Sequence, residues 1–343
     1  MEDEAKETAA SRGGTFSMQI PAMMSLLLVS VGLMDALQVQ SHPMVQRSVF
    51  SLETPLDMAP ASFDDQYAGC AAAMTAALPD LNRTEFQANK VYADGWALAS
   101  SQWRERGGWG AAWGLSPTPL PRAPAGFREE HGVALLAYTA NSPLHREFNA
   151  AVREAGRSRA HYLRHFSFKT LHFLLTEALQ LLATARARPQ CRQVYRGVHG
   201  LRFRPVGPGA TVRLGGFASA SLHNVAAQSF GQDTFFGIWT CLGAPIRGYS
   251  FFPGEEEVLI PPFETFQVVN ASRPAQGPAR IYLRALGKLS TYNCEYVKDQ
   301  KCRSGLCQLD SSAPGQGSLS IIWSFLLLFW LLMLNLPEGG DLL

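Results

Sequence analysis

The sequence predicts an α+β domain, with helices in its first half and strands in its second. Apolar residues recur with helical spacing at residues 144–155 and again at 168–185. After Cys191 the chain changes to β-branched and aromatic runs separated by glycine and proline. Because helices and strands are segregated along the chain, a doubly wound parallel sheet is not expected.

The helical half contains further stretches of helical character. An acidic, alanine-rich stretch at residues 63–78 comes first, and a tryptophan- and glycine-rich stretch follows at 96–113. Ser142 and Pro143 indicate a helix start, because a hydroxyl can cap the backbone and proline fits the first helical turn. Pro189 ends the last predicted helix.

Strands are predicted wherever a β-branched or aromatic run is bounded by turn-forming residues. They cover residues 193–198, 211–218, 234–242, 256–260, 265–270 and 280–286. The sequence contains no internal repeat. Residues 40–312 are long enough to form one large domain with a buried core.

The formal net charge of +2 over 343 residues gives no indication of a nucleic-acid partner. Lysine and arginine are spread along the chain, without a basic stripe between aromatic residues. Gly108 and Gly110 begin a glycine pattern, but Trp113 stands where a dinucleotide-binding fingerprint needs its third glycine. A Walker A loop is also absent, so a bound nucleotide would need another kind of site.

Residues 1–39 are expected to be a secretory signal region. The apolar run at residues 24–34 has the length of a signal peptide and is too short to span a bilayer. Met18 is a more natural start than Met1, and cleavage is expected near residues 36–39. A buried hydrophobic helix is the alternative interpretation of the apolar run.

The other end of the chain predicts attachment to a glycosylphosphatidylinositol (GPI) lipid. Small residues and a polar spacer precede a terminal apolar stretch at residues 319–336. We therefore expect lipid attachment near Ser312 and removal of residues 313–343. A transmembrane helix is the alternative, but such helices usually carry basic residues on their cytoplasmic flank, and residues 337–341 contain none.

Six cysteines and two sequons favour an oxidising, lumenal route. No Cys-x-x-Cys motif and no suitable histidine spacing is present, so a metal site is not expected. Six cysteines allow 15 pairings, and their positions alone do not choose among them. The sequons begin at Asn82 and Asn270, which are predicted N-glycosylation sites.

Three short polar motifs in the second half carry the candidate chemistry. Arg196, between Tyr195 and Gly197, supplies a permanent cation of the type that forks onto phosphate oxygens. Ser219 and Ser221 are two apart on a predicted strand, so both hydroxyls project from one face. An ion-paired arginine and a polar strand edge are the corresponding structural interpretations.

The acidic motif is the most specific of the three. Glu255 and Glu257 are two apart at the entry to a predicted strand, and we expect them on one side with Glu256 opposite. Two like charges so close are unfavourable unless a cation lies between them, and a guanidinium would be such a cation. An exposed acidic turn is the alternative interpretation.

The order Arg…Ser-x-Ser…Glu-x-Glu resembles that of the arginine-directed mono-ADP-ribosyltransferases, and residues 63–303 resemble the vertebrate ecto-enzymes of that family. The resemblance implies a helical N-terminal part packed on a β-core, with an NAD cleft between two sheets. It also implies transfer of ADP-ribose from NAD, or NADP, to protein arginines by a monomer with no metal and no nucleic-acid partner. Its place would be the outer leaflet of the plasma membrane or a lumenal membrane face.

The resemblance also assigns roles to residues. The Glu257 carboxylate would bind the 2′-hydroxyl of the nicotinamide ribose and stabilise the oxocarbenium-like charge as nicotinamide leaves. Glu255 would orient the arginine acceptor and help to remove its proton. Arg196 would bind the pyrophosphate, Gly197 would let the backbone approach the carboxamide, and Ser219 would support the ribose and Glu257.

Further NAD contacts are implied at Tyr138, Ser221, Phe230 and Ser250, with the Phe230 ring stacking on nicotinamide. Ordinary core or loop packing is the alternative interpretation for Tyr138, Phe230 and Ser250. Two function classes besides the transferase stay open. One is an NAD glycohydrolase, in which water replaces arginine, and the other is an inactive GPI-anchored surface binding module.

The resemblance further implies two disulfides. One joins Cys70 to Cys294 near the ends of the domain, and the other joins Cys191 to Cys241 around the arginine and serine motifs. A loop of the second size contributes roughly 4 kcal/mol on the chain-entropy estimate. The two remaining cysteines, Cys302 and Cys307, would be a local pair or free thiols.

Overall fold

The structure is a computed structural model, and it describes residues 52–107, 123–185, 191–205, 207–274 and 277–304. All of these residues belong to one compact unit, Phe50–Leu343, whereas the other unit, Met1–Val49, lies outside the described residues. The predicted signal region 1–39 and the predicted lipid-attachment signal at Ser312 and residues 313–343 also lie outside them.

The helices occupy the first half of the domain, with two further helices among and after the strands. Within the described ranges they are α1 (Ala71–Ala88), α2 (Lys90–Glu105), α3 (Glu129–Thr139), α4 (Leu144–Ala155), α5 (Arg159–His165), α6 (Lys169–Thr184), α7 (Asn224–Ser229) and α8 (Glu295–Arg303).

The strands lie in the second half, except for the first. They are β1 (Leu52–Leu56), β2 (Arg192–Val198), β3 (Leu201–Pro205), β4 (Thr211–Val212), β5 (Ala218–Ser221), β6 (Thr234–Thr240), β7 (Ala244–Pro245), β8 (Glu257–Ile260), β9 (Glu264–Ser272) and β10 (Ala279–Lys288).

Local capping explains several helix starts. The Ser142 hydroxyl accepts the Leu144 amide at 3.3 Å, where the serine–proline pair predicts the start of α4. Asn89 caps α2 by accepting the Tyr92 amide at 3.0 Å. The start of α6 is capped from a distance, because the Glu85 carboxylate accepts the amide of Lys169 at 2.6 Å.

The predicted helix at residues 63–78 begins too early. Its acidic residues are used as buried hydrogen-bond acceptors ahead of α1 rather than on a solvated helix face. Asp64 is fully buried and forms an ion pair with the buried Arg213. Asp65 accepts the amide of Tyr67 at 2.7 Å. The segment is non-helical and ends in a turn at residues 68–70, so the helix begins only at Ala71.

Eight strands form one sheet in the order β4-β9-β10-β6-β2-β5-β8-β7. The β10–β6 pair is parallel and the other pairs are antiparallel. The β2–β5 junction has one register pair, Tyr195 opposite Ser221, so the sheet consists of two halves that meet at a single position. The expected two sheets around the cleft are therefore two halves of one sheet.

The predicted strand at residues 211–218 is two strands, β4 and β5. Between them Arg213 leaves the sheet to pair with Asp64, and Gly215 has a φ of +69°. A residue with a side chain rarely adopts that conformation, so the chain turns here and β5 joins a different neighbour.

Two apolar cores support the site. The helices α1 to α6 enclose a large core that reaches the sheet at Phe217 and Leu259. A second core lies on the inner face of the sheet, around Val194 and Phe236. The parallel pair of β1 and β3 packs over that face, where Phe203 meets Phe236 edge-on with ring centroids 5.4 Å apart.

The structure contains both predicted disulfides, Cys70–Cys294 and Cys191–Cys241. The first joins residues 224 positions apart and ties the start of α1 to the start of α8. Cys302 is also disulfide-bonded, so the free-thiol alternative is wrong for it. Cys307 lies outside the described residues.

Candidate active site

A cleft with a volume of about 710 Å³ opens beside the β2–β5 junction. The end of α3 and the start of α4 bound one side of it, and the strands β2, β5 and β8 bound the other. Its volume lies within the range of about 300–1,000 Å³ typical of small-molecule sites. Of the residues predicted for the site, eight line this cleft: Tyr138, Arg196, Gly197, Ser219, Ser221, Phe230, Glu255 and Glu257.

Glu257 is the first residue of β8, and the residue is 6% exposed. Burial raises its pKa, while hydrogen bonds from the hydroxyls of Ser219 and Ser250 and the charge of Arg196 act in the opposite direction. Ser250 Oγ donates to Glu257 Oε2 at 3.0 Å. The arrangement holds a nearly dry carboxylate in one orientation, supported by two hydroxyls and a cation.

Glu255 reaches the same cleft by a route that strand alternation does not predict. It ends a 3-10 turn, Pro253–Glu255, and Glu256 has left-handed backbone angles, φ 49° and ψ 48°. Both carboxylates line one cleft, as expected, but strand alternation is not the reason. The turn brings Glu255 round to the side of Glu257.

Long-range contacts fix this left-handed turn. The Glu256 carboxylate forms an ion pair with Arg247 outside the cleft. Ser221 Oγ donates to the Glu255 carbonyl at 2.7 Å, and the Leu222 amide donates to the Glu256 carbonyl at 3.2 Å. Ser221, predicted as an NAD contact, thus uses its hydroxyl to hold the acidic turn against β5.

The Glu255 carboxylate is half-buried, and within the described ranges it has no ion-pair partner within 4.0 Å. Burial raises its pKa, and the neighbouring charge of Glu257 raises it further. A cation arriving between the two carboxylates would stabilise the ionised form of Glu255 and so counteract both causes of its raised pKa.

Arg196 lies on β2 and faces the same side of the sheet as Val194, with a half-buried side chain. Its Nη1 donates to the Ser219 carbonyl at 2.5 Å, across the β2–β5 junction. Desolvation lowers its pKa, and the charges of Tyr138 and Glu257 oppose that effect. A guanidinium remains protonated under these conditions, so the cleft contains a fixed positive charge opposite Glu257.

Ser250 does not line the cleft. It is fully buried behind Glu257, donates to that carboxylate and accepts the Phe252 amide at 3.0 Å. Sequence position suggested a contact with NAD, but its hydroxyl faces Glu257 from beneath. Its role in this structure is to position that carboxylate.

Tyr138 joins the helical part to the sheet. Its hydroxyl donates to the Phe217 carbonyl at 2.8 Å and accepts from Asn149 Nδ2 at 2.9 Å. The ring lines the cleft next to Ser219. Tyr138 therefore sets the distance between α3, α4 and the entry to β5, in addition to presenting its ring to the cleft.

Gly197 is required by its neighbours in the protein. A Cβ atom there would lie 2.2 Å from the carbonyl oxygen of Ala227 and 2.7 Å from that of Gly231. The turn that includes α7 therefore packs directly on β2, and Phe230 at the end of α7 reaches the cleft with 51% of its surface exposed. The exposed ring is free to meet a planar ligand.

A polar row at the start of α4, which was not predicted from the sequence, also lines the cleft and consists of His145, Arg146 and Asn149. These residues lie opposite the buried Leu144 and Phe148, so the helical period of the predicted helix contained the signal. The pKa of His145 is lowered by burial and by the charges of Arg146 and Arg196. These effects favour the neutral imidazole of His145.

No group of three or more His, Cys, Asp or Glu residues in the described ranges could hold a metal ion. No helix in the same ranges combines the length and apolar character needed to cross a membrane.

A sequence model of the family described as NAD:arginine ADP-ribosyltransferase matches residues 56–291. GPI-linked NAD(P)(+)--arginine ADP-ribosyltransferase 1 of Homo sapiens is 77% identical over 327 residues, which are 95% of this chain and 100% of the relative. The Mus musculus protein of the same name is 78% identical over 95% of this chain and 98% of its own length.

A solved structure gives the same picture for the backbone. The crystal structure of the eucaryotic mono-ADP-ribosyltransferase ART2.2 superimposes with a TM-score of 0.59 at 38% identity, over 71% of this chain and 99% of that chain. A mutant of that protein, solved in complex with NAD, superimposes with a TM-score of 0.58 and the same identity and coverage.

Proposed function

The chain belongs to the NAD:arginine ADP-ribosyltransferase family, and from that premise we propose that its cleft transfers ADP-ribose from NAD to arginine side chains and releases nicotinamide. The observation that carries the proposal is the pair of carboxylates in one cleft. Glu257 is buried, oriented and opposite a fixed cation, whereas Glu255 is half-exposed and has no ion-pair partner among the described residues. Glu257 therefore suits the NAD donor, and Glu255 suits the arginine acceptor.

The donor half of the reaction breaks the bond between nicotinamide and the ribose. Positive charge develops on the anomeric carbon and the ring oxygen as this bond lengthens. The Glu257 carboxylate stabilises that charge, as carboxylates do in glycoside hydrolysis, because Ser219 and Ser250 have already fixed its orientation. Arg196 binds the pyrophosphate of the same donor.

The acceptor half requires a nucleophilic guanidinium. Free arginine has a pKa above about 12, so a proton must leave as the nitrogen attacks. Glu255 first holds the guanidinium by an ion pair and then receives the proton, for which its raised pKa makes it a better base. The acceptor nitrogen attacks the face opposite nicotinamide, so the product has the inverted configuration at the anomeric carbon.

The cellular location and the membrane anchor are inferred from the same family relationship. Relatives at 77–78% identity are named GPI-linked, and we place this protein on the outer leaflet of the plasma membrane, where its acceptors are arginines of extracellular proteins. Residues 1–39 act as the signal region, and Ser312 receives the lipid as residues 313–343 leave. The protein works as a monomer without nucleic acid, and the relatives' names support NADP as a second donor.

The transferase is tested with the secreted ectodomain, NAD labelled in its adenylate part, and agmatine as a free guanidino acceptor. We expect labelled ADP-ribosylagmatine in the inverted configuration, in step with nicotinamide release. Nicotinamide release without labelled agmatine would make the protein a glycohydrolase. The absence of both products would leave an inactive binding module on this scaffold.

The anchor is tested on intact cells. Phosphatidylinositol-specific phospholipase C is expected to release the mature protein into the medium, because a GPI lipid would replace the apolar tail. If the protein resists release and a tag placed after Leu343 is found on the mature form, the terminal segment is a transmembrane helix.

A further inference from the structure

The outer face of the sheet carries aromatic side chains that the described part of the chain leaves open. Trp239 is 44% exposed and Tyr282 is 41% exposed. Tyr195 and Phe235 stack on the same face, with ring centroids 6.1 Å apart, and Tyr195 also borders the active-site cleft. We call these four residues the aromatic face. A contiguous aromatic surface of this kind usually meets another molecule or group.

A sequon lies on the same surface. Asn270 of β9 is directly opposite Tyr282 of β10 in the antiparallel register, so the two side chains project from one face. Ser272, which completes the sequon, is opposite Arg280 on that face. Asn270 and Ser272 are both exposed. The asparagine is therefore accessible and lies next to the aromatic face.

The ring of Tyr282, the neighbour of Asn270, extends over the next strand. Tyr282 is also in register with Gly237 of β6, and a Cβ atom on Gly237 would lie 2.9 Å from Tyr282 Cδ1 and 3.1 Å from Cε1. The edge of the tyrosine ring therefore lies over the glycine. The Tyr282 ring and Gln193 Nε2 cover the glycine, and we call the surface that runs from Asn270 across this ring towards Tyr195, opposite Gly237 on β2, the strip.

We propose that Asn270 carries an N-linked glycan whose first two sugars pack on this strip, so that the protein covers its aromatic face with its own carbohydrate. Neighbouring strands are about 4.8 Å apart, so β6 is about 10 Å from β9, a distance that two linked sugar rings span. The C–H faces of the sugars meet the rings of Tyr282 and Trp239. The proposal rests on the secretory route proposed above and not on the transferase activity.

Polar side chains border the strip where sugar hydroxyl and acetamido groups would lie. Gln193 is opposite Trp239 on β2, and Arg284 is opposite both Trp239 and Gln267. The register places no carboxylate in the row formed by Gln193, Trp239, Arg284 and Gln267. Amides and guanidinium groups beside aromatic rings suit a neutral carbohydrate, which needs donors and acceptors together with flat apolar surface.

The attachment reaction balances with a donor of the secretory pathway. The Asn270 Nδ2 atom forms a bond to C1 of the first N-acetylglucosamine. The bond between C1 and the diphosphate of a lipid-linked oligosaccharide breaks, and one amide proton leaves with the lipid diphosphate. No oxidant or reductant is needed.

The second sequon offers a matched control. Asn82 lies within α1, and its Oδ1 accepts a hydrogen bond from the hydroxyl of Tyr92 at 2.8 Å. Tyr92 is fully buried, so a glycan at Asn82 has no exposed ring of this neighbour to cover. A sugar there is expected to add solubility without packing on the protein.

The test uses the ectodomain secreted from cultured animal cells. Ser272→Ala removes the Asn270 sequon and leaves the asparagine in place, Ser272→Thr keeps the sequon, and Thr84→Ala removes the sequon at Asn82. Mass spectrometry of the peptide that contains Asn270 is expected to show the glycan in the wild type, the Ser272→Thr protein and the Thr84→Ala protein. An unmodified Asn270 in the wild type overturns the proposal.

Packing is tested by a double-mutant cycle with Tyr282→Ala. With the glycan present, Tyr282→Ala is expected to lower the melting temperature by about 2–4 °C more than it does in the Ser272→Ala background. In the Thr84→Ala background its effect is expected to equal that in the wild type. Agmatine transfer by Ser272→Ala is expected to stay at the wild-type rate, which separates this proposal from the transferase assignment.

Two further outcomes would contradict the proposal. An equal loss of melting temperature from Tyr282→Ala with and without the glycan would show that the sugars do not touch the face. Concentration-dependent association of the glycosylated wild type that Tyr282→Ala abolishes would assign the face to a second copy of the chain instead.

Discussion

Ser250 gives the sharpest test of how Glu257 is prepared for catalysis. Its hydroxyl is fully buried and donates to Glu257 Oε2 at 3.0 Å. Replacing Ser250 by alanine leaves the carboxylate buried but removes one of its two hydroxyl donors. A hydrogen bond to a charged group is worth about 1.5–3 kcal/mol, which corresponds to a loss of roughly 10- to 150-fold in kcat/KM.

The variant also changes the dependence on pH in a defined direction. Burial raises the pKa of Glu257, and the hydrogen bonds from Ser219 and Ser250 oppose that rise. Without Ser250 the pKa rises further, so the ionised fraction at a given acidic pH falls. Because the ionised form stabilises the cationic transition state, the acid limb of kcat/KM is expected to move to higher pH.

The assay measures agmatine transfer across pH for Ser250→Ala and for a control, Ser62→Ala. Ser62 is equally buried, but its hydroxyl donates to the Gly215 carbonyl at 2.9 Å and does not line the cleft. Both variants are expected to lose stability, and only Ser250→Ala is expected to shift the acid limb. An unchanged acid limb with kcat/KM within twofold of the wild type would refute the positioning role.

Three other predictions follow from the site and the core. Glu257→Gln should lower both transfer and NAD hydrolysis by at least about 10²–10³-fold, and more than a tenth of the wild-type rate would remove Glu257 from catalysis. Gly197→Ala should impair transfer at least tenfold and lower the melting temperature, because the new Cβ would lie 2.2 Å from the Ala227 carbonyl oxygen. Gly287→Ala is the control, since no atom lies within 4 Å of its new Cβ, and it should change neither transfer nor the melting temperature. Burial lowers the pKa of His172 to about 3, so between pH 6.5 and about 3 the unfolded chain binds a proton at this histidine and the folded chain does not. The free energy of unfolding, measured with urea, should therefore fall as pH falls. The slope should be smaller in His172→Gln.

Much of the fold could be predicted from local signals. The α+β class and the ADP-ribosyltransferase-like fold are confirmed by the family match and by the superposition on a solved relative. The helix predicted at 144–155 coincides with α4 because its cap and its apolar period are both local. The strands β2 and β6 begin and end within two residues of their predictions for the same reason.

The parts of the fold that were not predicted correctly depend on contacts between residues distant in sequence. The stretch 63–70 has helix-forming composition, yet it is non-helical, and its Asp64 forms a buried ion pair with Arg213. The strands β1 and β3 were not predicted, because they gain their partners from each other across some 150 residues of chain. Neither contact has a counterpart in local periodicity.

In the candidate site too, residues with a signal in the sequence were predicted, and features that depend on distant partners were not. Arg196, Ser219 and Glu257 were found because their order along the chain matches the family pattern, and the structure brings them into one cleft. The left-handed conformation of Glu256 depends on its ion pair with Arg247, which no spacing rule contains. The burial of Ser250 behind the carboxylate likewise depends on how the acidic turn packs on the sheet.

The division of labour between the two carboxylates is the central claim, and Glu255→Gln tests it most directly. Transfer to agmatine and hydrolysis of NAD should be measured on one preparation, with the melting temperature as a control for folding. Glu255 contacts the acceptor and not the ribose in this account, so transfer is expected to collapse while hydrolysis persists or rises as water occupies the vacated place. An equal loss of both activities in a folded protein would show that Glu255 supports NAD binding or the acidic turn, and would contradict the account.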